Sequence, residues 1–358
     1  MNKYALAKSL LGSHWLKEGV ISNADGSISK GFEVEPLSCG LFEESFEGAI
    51  SDNFFIKLSD LLTKLPNLSE GQIIICRRKL RNSEISGFAT KLYVFEKVQK
   101  PESYSHFGAL LEELRLDPSP ITQASWKMLL SGVFGNTILE NKLPDVAWEK
   151  EGIKIKEQVV RVLSLTELPQ VTWKGCLQTI FENPCEFMVS IRLAIPDRVK
   201  IKKQLETKRR VSHALSVTSS LEVKNIESNS VLHSSEETLE RILVGKETLF
   251  EISMAAILIG SDEATLTTAR DFERMVSGIG NAGLFLESIG TLPVLKSHIP
   301  GNKTLGIRKL PILTENLAHL LPLLHDYSRL NDPSSLELRS RSGEESYLNL
   351  FSRENLNY

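Results

Sequence analysis

Two strand–helix–strand patterns between residues 157 and 290 determine the fold class that the sequence predicts. The first pattern begins with VVRVLSL at residues 159–165 and ends with FMVSIRLAI at residues 187–195. In the second of these stretches the apolar residues alternate with the others, and a period of two places them on one buried face of a strand. These apolar residues are Phe187, Val189, Ile191, Leu193 and Ile195.

A helix is predicted between these two strands. Apolar residues recur there at the three- and four-residue intervals that form one stripe along a helix. They are Trp173, Cys176, Leu177, Ile180 and Phe181. Pro184 ends the helix, because the residue before a proline avoids helical backbone angles.

The second pattern has the same order of elements. Residues 250–259 are rich in apolar and β-branched residues and predict a strand, and Ser261 or Asp262 is placed to cap the helix that follows. Leu266, Ala269, Phe272, Val276 and Ile279 form the apolar stripe of that helix. A short strand at residues 284–289 closes the unit. Two such units predict a ferredoxin-like split βαβ sheet with helices on one face, within an α/β or, more narrowly, α+β class. Many unrelated functions use this fold, so the fold alone indicates no chemistry.

The chain before this region predicts a small α/β module, and a polar stretch at residues 142–152 marks its boundary. Turn residues at 23–26 separate two strand candidates, and Ser51 or Asp52 is placed to cap an apolar helix that Pro66 ends. The predicted strands are residues 14–21, 27–34, 72–76 and 91–95, the last two forming a hairpin, and the later helices are residues 105–114 and 122–134.

A basic helix interrupts the two βαβ units. It runs from Arg198 toward Leu221, and a polar turn at residues 225–235 leads to a returning helix at residues 236–244, so the insert is a helical hairpin. Its basic residues are Arg198, Lys200, Lys202, Lys203, Lys208, Arg209 and Arg210. Such a face can be solvated, paired with Glu236, Glu237 and Glu240, or bound to a protein. It could also bind nucleic acid by releasing counterions, but it lacks the interleaved aromatic residues on which bases stack.

The last part of the chain has a less regular pattern. Prolines make residues 291–313 an extended connector, followed by a short helix at residues 316–324 and a strand pair at residues 336–341 and 347–351. The predicted organisation is therefore an N-terminal docking module (1–150), a ferredoxin-like domain with its helical hairpin (151–290) and a connector (291–358).

Composition is that of an ordinary globular chain. The net charge of −3 over 358 residues excludes binding to polyanions by bulk charge alone. No CxxC pair joins Cys39, Cys76, Cys176 and Cys185, which favours buried thiols in a reducing compartment. The longest apolar run, residues 254–259, is far shorter than the roughly 20 residues that span a bilayer. The start of the sequence forms no signal-peptide apolar region, so a cytoplasmic location is expected.

Motifs that suggest nucleotide or metal chemistry are weak in this sequence. Residues 278–283 fit GxGxxG, but a helix precedes them and a strand follows, the reverse of a dinucleotide site, so a helix C-cap is the favoured interpretation. Lys246 is followed by Glu247, and residues 301–304 lack the second glycine of a P-loop. His319 and His325 are six residues apart and have no metal-ligand spacing. No catalytic, cofactor-binding or metal-binding residue is predicted.

Three stretches taken in order resemble the N-terminal region of the conjugative type IV secretion ATPases of the VirB/Tra type. The first runs from Asp25-Gly26 through Phe32-Glu33-Val34 and a helix ending at Leu65-Pro66 to a strand near Gln72. The second runs from Leu163-Ser164-Leu165 through Pro169 to Ile195 and Arg209-Arg210. The third runs from Leu292-Pro293 through Pro300-Gly301 and Thr314-Glu315-Asn316 to Arg341-Ser342-Gly343 and the end of the chain.

The resemblance implies a module that docks the ATPase to the cytoplasmic face of the bacterial inner membrane through other secretion subunits. In that family a RecA-like motor follows, so a G-x-x-x-x-G-K-[ST] loop is expected within roughly 20 residues beyond Tyr358. The resemblance implies that ATP and Mg²⁺ are cofactors of the full-length protein, which in the family is commonly a hexameric motor for pilus biogenesis and substrate export. This chain alone would be an inactive monomer without cofactors. The alternatives are a nucleic-acid-binding protein acting through residues 198–210 and a free-standing enzyme.

Overall fold

A computed structural model describes residue 10 and residues 13–34, 44–79, 88–134, 146–149, 152–182, 185–218, 236–237, 239–302, 307–323, 336–339 and 345–348. All structural statements below concern these residues.

One large antiparallel sheet dominates the described chain. Its main path runs β1-β2-β3-β5-β4-β10-β11-β9-β8-β7, while β6, β12 and β13 pair with β3, β9 and β11. A separate hairpin consists of β14 and β15. The strands are β1 (His14–Lys17), β2 (Val20–Ser22), β3 (Ile28–Val34), β4 (Glu70–Lys79), β5 (Phe88–Val98), β6 (Pro118–Pro120), β7 (Val146–Glu149), β8 (Gly152–Ile155), β9 (Gln158–Glu167), β10 (Phe187–Ala194), β11 (Leu249–Gly260), β12 (Gly283–Leu286), β13 (Leu310–Leu313), β14 (Leu336–Arg339) and β15 (Glu345–Leu348).

Helices lie on both faces of this sheet. They are α1 (Glu44–Thr63), α2 (His106–Glu113), α3 (Gln123–Phe134), α4 (Arg198–Thr218), α5 (Asp262–Ser277), α6 (Thr291–His298) and α7 (Thr314–Leu320), together with a 3-10 helix, η1 (Cys176–Glu182). Residues 236–237 and 239–243 are also helical. The protein therefore has a mixed α+β fold, as the sequence predicts.

The predicted split βαβ unit is present. β9 pairs with both β11 and β12, and β11 pairs with β10, which gives the order β12-β9-β11-β10 with every pair antiparallel. η1 connects β9 to β10, and α5 connects β11 to β12. Ser261 caps α5 by accepting a hydrogen bond from the Ala264 backbone at 3.4 Å, as its position predicts.

The sheet extends from the split βαβ unit into the first 150 residues. β10 pairs with β4, so that Ile191 lies opposite Ile73, and β4 forms the predicted hairpin with β5. A continuous ladder of backbone hydrogen bonds thus joins strands that lie on opposite sides of the boundary predicted at residues 142–152. The division of the chain into domains stays a prediction.

Two hydrophobic cores lie on opposite faces of the sheet. η1 and α5 pack on the same face, as predicted, through Cys176 and Phe272 among others. The other face is covered by α3 and α6, which lie outside the split βαβ unit and contribute Trp126 and Val294. β10 is therefore buried on both faces, since Met188 and Ser190 are as inaccessible as the alternating apolar set.

Several local predictions need correction. The predicted strand at residues 14–21 is a hairpin, because Gly19 adopts φ +68° and reverses the chain between β1 and β2. α1 begins at Glu44, so neither Ser51 nor Asp52 caps it. The helix predicted from Trp173 is the shorter η1, which begins at Cys176 and leaves Trp173 45% exposed.

The connector predicted at residues 291–313 is not extended throughout. It contains α6, and Pro293 lies in the first turn of this helix. Proline is tolerated there because the backbone N–H groups of the first turn have no carbonyl partner within the helix. The connector also contains β13, which pairs with β11. The final strand pair is present as β14 and β15, and residues 340–341 and 349–351 of the prediction lie outside the described chain.

Candidate functional site

The GxGxxG stretch lies at the end of α5 and does not form a nucleotide cradle. Gly278 is the C-cap of the helix, and β12 begins at Gly283. A dinucleotide site needs the amide groups at the beginning of a helix, whereas this turn follows one. The interpretation as a helix C-cap is confirmed.

The two lysine motifs also lie in turns. Gly245 adopts φ +75° where the returning helix ends, and Lys246 leads toward β11. Gly301 adopts φ +77° in the turn after α6, and residues 303–304 of that motif lie outside the described chain. Neither glycine is followed by a described helix that could present amide groups to phosphate.

We expect the purified chain to hydrolyse no ATP. The sequence contains no Gly-Lys-Ser/Thr loop, which P-loop enzymes need to hold the phosphates and place Mg²⁺. Phosphate release should therefore equal that of a protein-free blank in steady-state assays with ATP and Mg²⁺. A rate well above the blank that co-purifies with the chain through two columns would contradict this expectation.

His319 has a packing role. Its ring lies edge-on to Phe55 with 6.0 Å between centroids, and its Nδ1 lies 3.1 Å from the hydroxyl of Thr172. Burial lowers the pKa of His319. His325 lies outside the described residues. In the described part of the chain, no three His, Cys, Asp or Glu side chains are close enough together to hold a metal ion.

The basic helix α4 is anchored at its beginning and exposed beyond it. Asp197 caps it by accepting a hydrogen bond from the Val199 backbone at 2.9 Å, and Arg198 donates to the Leu65 carbonyl at 3.0 Å. Its remaining described basic side chains are all exposed, and so are the apolar side chains of Val199 and Val211. These basic residues are Lys200, Lys202, Lys203, Arg209 and Arg210.

The glutamates of the returning helix do not neutralise α4. Glu236, Glu237 and Glu240 are exposed, and no ion pair between described residues joins them to α4. Arg241 of the returning helix instead binds Glu247 at 2.8 Å and Glu315 at 2.7 Å. These contacts agree with a basic face of α4 that is solvated, and they do not agree with one that is paired with the returning helix.

A second candidate site is a polar stripe across the sheet that the sequence analysis did not identify. On the α6 side of the sheet, four strands present polar residues where apolar ones are expected. They are Ser29 of β3, Gln72 of β4, Ser190 and Arg192 of β10 and Ser253 of β11. Ser29, Gln72, Ser190 and Ser253 are buried, and buried polar groups persist only when hydrogen bonds compensate for lost water.

His298, at the end of α6, lies over this stripe. Its Nδ1 is 3.0 Å from the Ser190 hydroxyl and its Nε2 is 3.1 Å from the Ser253 hydroxyl. Gln72 donates to the Ser190 hydroxyl at 2.8 Å and to the His298 carbonyl at 2.7 Å. Burial, reinforced by Arg192, lowers the pKa of His298 to about 3, so the imidazole is neutral at physiological pH.

The Ser253–His298 pair has the distance of a nucleophile and its base, but its surroundings do not support nucleophilic catalysis. Both residues are buried, and the second ring nitrogen faces a serine hydroxyl, whereas a catalytic base is oriented by a carboxylate. Because a substrate cannot reach these buried side chains, the pair cannot take part in acyl transfer. We therefore assign this network a structural role.

A water-accessible cleft of about 190 Å³ opens beside this network. Three cationic side chains (Lys97, Arg192 and Lys309) and two carboxylates (Asp25 and Glu70) line it. Lys97 lies 3.5 Å from Asp25 and 3.3 Å from Glu70. Arg192 donates to the Gln72 side-chain oxygen at 3.2 Å and the Asn302 carbonyl at 2.8 Å. Burial lowers the pKa of Arg192 to about 10.

Parts of all three stretches that carry the family resemblance meet at this cleft. Asp25 belongs to the first stretch, Arg192 to the second and Gly301 to the third. The Ala24 backbone donates to the Gly301 carbonyl at 2.9 Å, and a Cβ atom at Gly301 would lie 2.4 Å from that of Ser13. Only glycine permits this close approach with a positive φ.

In comparisons with known proteins, no family model matches the sequence, and no curated protein is significantly similar to it.

Proposed function

We propose that this chain is the docking and assembly module of a type IV secretion ATPase and that α4 binds its partner. The partner is an inner-membrane subunit of the secretion system with an acidic surface. The module holds the ATPase at the cytoplasmic face of the inner membrane, where the motor powers pilus biogenesis and export of DNA or protein. The membrane contact is indirect, and the chain alone is a monomer without catalytic activity.

The exposure of α4 is the observation that carries this proposal. Beyond Arg198, five basic side chains are exposed along one helix, and no ion pair between described residues joins them to an acidic side chain. Charges at the edge of an interface chiefly accelerate encounter and select partners. The described chain also contains no helix with both the length and the apolar character needed to cross a bilayer, which is compatible with attachment through a partner.

Nucleic-acid binding through α4 is the alternative function. The same exposed charges favour it, since phosphate contacts depend on cations rather than on base-specific groups. Duplex DNA titrated at two salt concentrations separates the alternatives. An affinity for DNA that falls steeply as the salt concentration rises, but is still measurable near physiological ionic strength, would favour DNA over a protein partner.

Reversing four charges on α4 is expected to weaken docking by roughly tenfold or more, because partner selection depends on complementary charge. The variant replaces Lys202, Lys203, Arg209 and Arg210 with Glu. Affinity capture from cells that carry the secretion system, followed by quantification of the inner-membrane subunits, measures the effect. Circular dichroism and a thermal melt should show an intact fold.

A matched control separates surface position from net charge. Lys100, Lys154, Lys246 and Arg270 are exposed in other parts of the molecule, so their reversal to Glu gives the same change in charge. This control should capture the subunits as the wild type does. Equal capture by the α4 variant would exclude α4 from the interface.

A further inference from the structure

A small pocket lies where α4 begins, between that helix, the end of the returning helix and the last residue of α1. We call it the α4 pocket. Its apolar lining comes from Ile201, Ile242 and Leu249, and its volume is about 90 Å³. It would hold on the order of three water molecules, and it is far smaller than the roughly 300–1,000 Å³ of a site for drug-sized ligands. The pocket therefore suits a single aliphatic side chain of a partner rather than a separate small molecule.

Hydrogen bonds between the surrounding segments hold the walls of the α4 pocket. Arg198 of α4 donates to the Thr63 carbonyl at the end of α1 at 3.3 Å, and the Thr248 hydroxyl donates to the same carbonyl at 3.3 Å. Glu247 accepts from Arg241 of the returning helix at 2.8 Å. Because these contacts fix the walls before a partner arrives, binding loses little free energy in ordering them.

Three apolar side chains next to the pocket are exposed to solvent. Val199, Leu243 and Val244 are 62%, 51% and 64% exposed. Val199 directly follows a lining residue in the chain, and Leu243 and Val244 lie between two others. Single apolar side chains scattered over a surface need no explanation, but three beside one pocket form a patch that is typical of an interaction site. We call these three residues the α4 patch.

The charges beside the pocket indicate an acidic partner. Arg198 hydrogen-bonds neutral carbonyl and hydroxyl oxygens, and no ion pair between described residues joins it to a carboxylate. Lys202, one turn further along α4, and Lys246, just after the returning helix, are exposed and likewise make no ion pair within the described chain. Glu247 is the one carboxylate among the described lining residues, and it is already paired with Arg241. The positive charge around the pocket therefore complements acidic residues of a partner.

From these features we propose that the α4 pocket receives one aliphatic side chain from an acidic segment of the partner subunit. That side chain enters the pocket, its neighbours pack on the α4 patch, and acidic residues on either side face Lys202 and Lys246. Peptides dock on grooves in this way, with an apolar anchor that provides affinity and charges that provide specificity. The inference rests on the proposed docking function, and it adds the contact surface and the chemistry of the segment that occupies it.

Overlapping synthetic peptides that cover the cytoplasmic segments of the inner-membrane subunits test this proposal, with binding to the full chain measured by fluorescence anisotropy. At least one peptide in which acidic residues surround an aliphatic residue should bind. Replacing that aliphatic residue with alanine should weaken binding roughly tenfold or more, because the pocket loses its anchor. Replacing the acidic residues with their amides should weaken binding and reduce its dependence on salt. These changes are made in the peptide, so they leave the fold of the chain intact.

Two results of the peptide experiment would overturn the proposal. One is that only basic or purely apolar peptides bind. The other is that an acidic peptide binds equally well after both kinds of replacement.

A triple variant of the α4 patch assigns peptide binding to this surface. Replacing Val199, Leu243 and Val244 with Ser should weaken binding roughly tenfold or more and leave the thermal melt unchanged, because all three side chains are exposed. A matched control replaces three aliphatic residues that are exposed elsewhere with Ser and should bind as the wild type does. The control residues are Leu16, Val171 and Ile289. Unchanged peptide affinity in the patch variant overturns the proposal.

Affinity capture of the inner-membrane subunits separates failure of this proposal from failure of the docking function. Weaker capture by both the charge-reversed α4 variant and the patch variant supports the proposal. If the charge reversal weakens capture and the patch variant does not, the pocket lies outside the interface and only this proposal is overturned. If neither variant weakens capture, docking through α4 is excluded and both proposals are overturned.

Discussion

Replacing Ile191 with alanine should lower the free energy of unfolding by about 2–5 kcal/mol. Ile191 is 2% exposed and lies in the middle of β10, opposite Ile73 on one side and Met254 on the other. Truncation removes buried methyl groups and leaves a cavity that two flanking strands prevent from collapsing. Urea melts with a common m-value measure the effect.

Alanine at Lys202 or Lys203 provides the comparison, with an expected change below about 0.5 kcal/mol. Both lysines are exposed on α4, and alanine preserves helix propensity there. Because β10 joins strands from both halves of the chain, the Ile191 variant should melt in one transition of reduced stability. Comparable losses at Ile191 and Lys202 would mean that the β10 register is wrong.

Local periodicity predicted the elements of the split βαβ unit but not their neighbours. β10 and α5 were predictable because their apolar residues alternate or recur over more than one turn. The pairing of β10 with β4 was not predictable, because residues 73 and 191 are far apart in sequence. Periodicity does not specify which strands are adjacent.

The predicted secondary structure was wrong where one residue affected the backbone more than the surrounding sequence pattern did. Gly19 reverses a run that looks like one strand, and Pro293 suggests an extended segment although it is tolerated in the first turn of α6. In both cases the backbone angles of one residue determined the structure. Sequence patterns averaged over several residues do not detect such effects.

The two candidate sites differ in how far the sequence could predict them. The charge of α4 is contiguous in sequence, so its exposed basic face follows from composition alone. The cleft brings together residues from segments between Asn23 and Lys309, and its floor consists of polar residues at alternate strand positions. Alternation assigned those positions to solvent, because the sequence gives no sign that α6 and the turn after it cover them.

Acidification should destabilise the protein through His298. A histidine in the unfolded chain titrates near pKa 6.5, whereas burial and the charge of Arg192 lower the pKa of His298 to about 3 in the folded protein. Between these two values the unfolded state binds one more proton than the folded state, so stability falls as pH decreases through this window. From pH 7 to pH 5 this single group should remove about 2 kcal/mol.

Comparing His298→Gln with the wild type isolates this contribution from the rest of the titrating groups. The glutamine amide can still hydrogen-bond Ser190 or Ser253 but cannot take up a proton. The free energy of unfolding of the His298→Gln variant should be lower than that of the wild type at pH 7. From pH 7 to pH 5 it should fall about 2 kcal/mol less than that of the wild type. His14→Gln, which removes an exposed histidine, is the matched control. If His298→Gln has the same slope as the wild type, His298 takes up its proton as readily in the folded state as in the unfolded state. At pH 5 the network with Ser190 and Ser253 would then contain a doubly protonated ring, which can only donate to both hydroxyls.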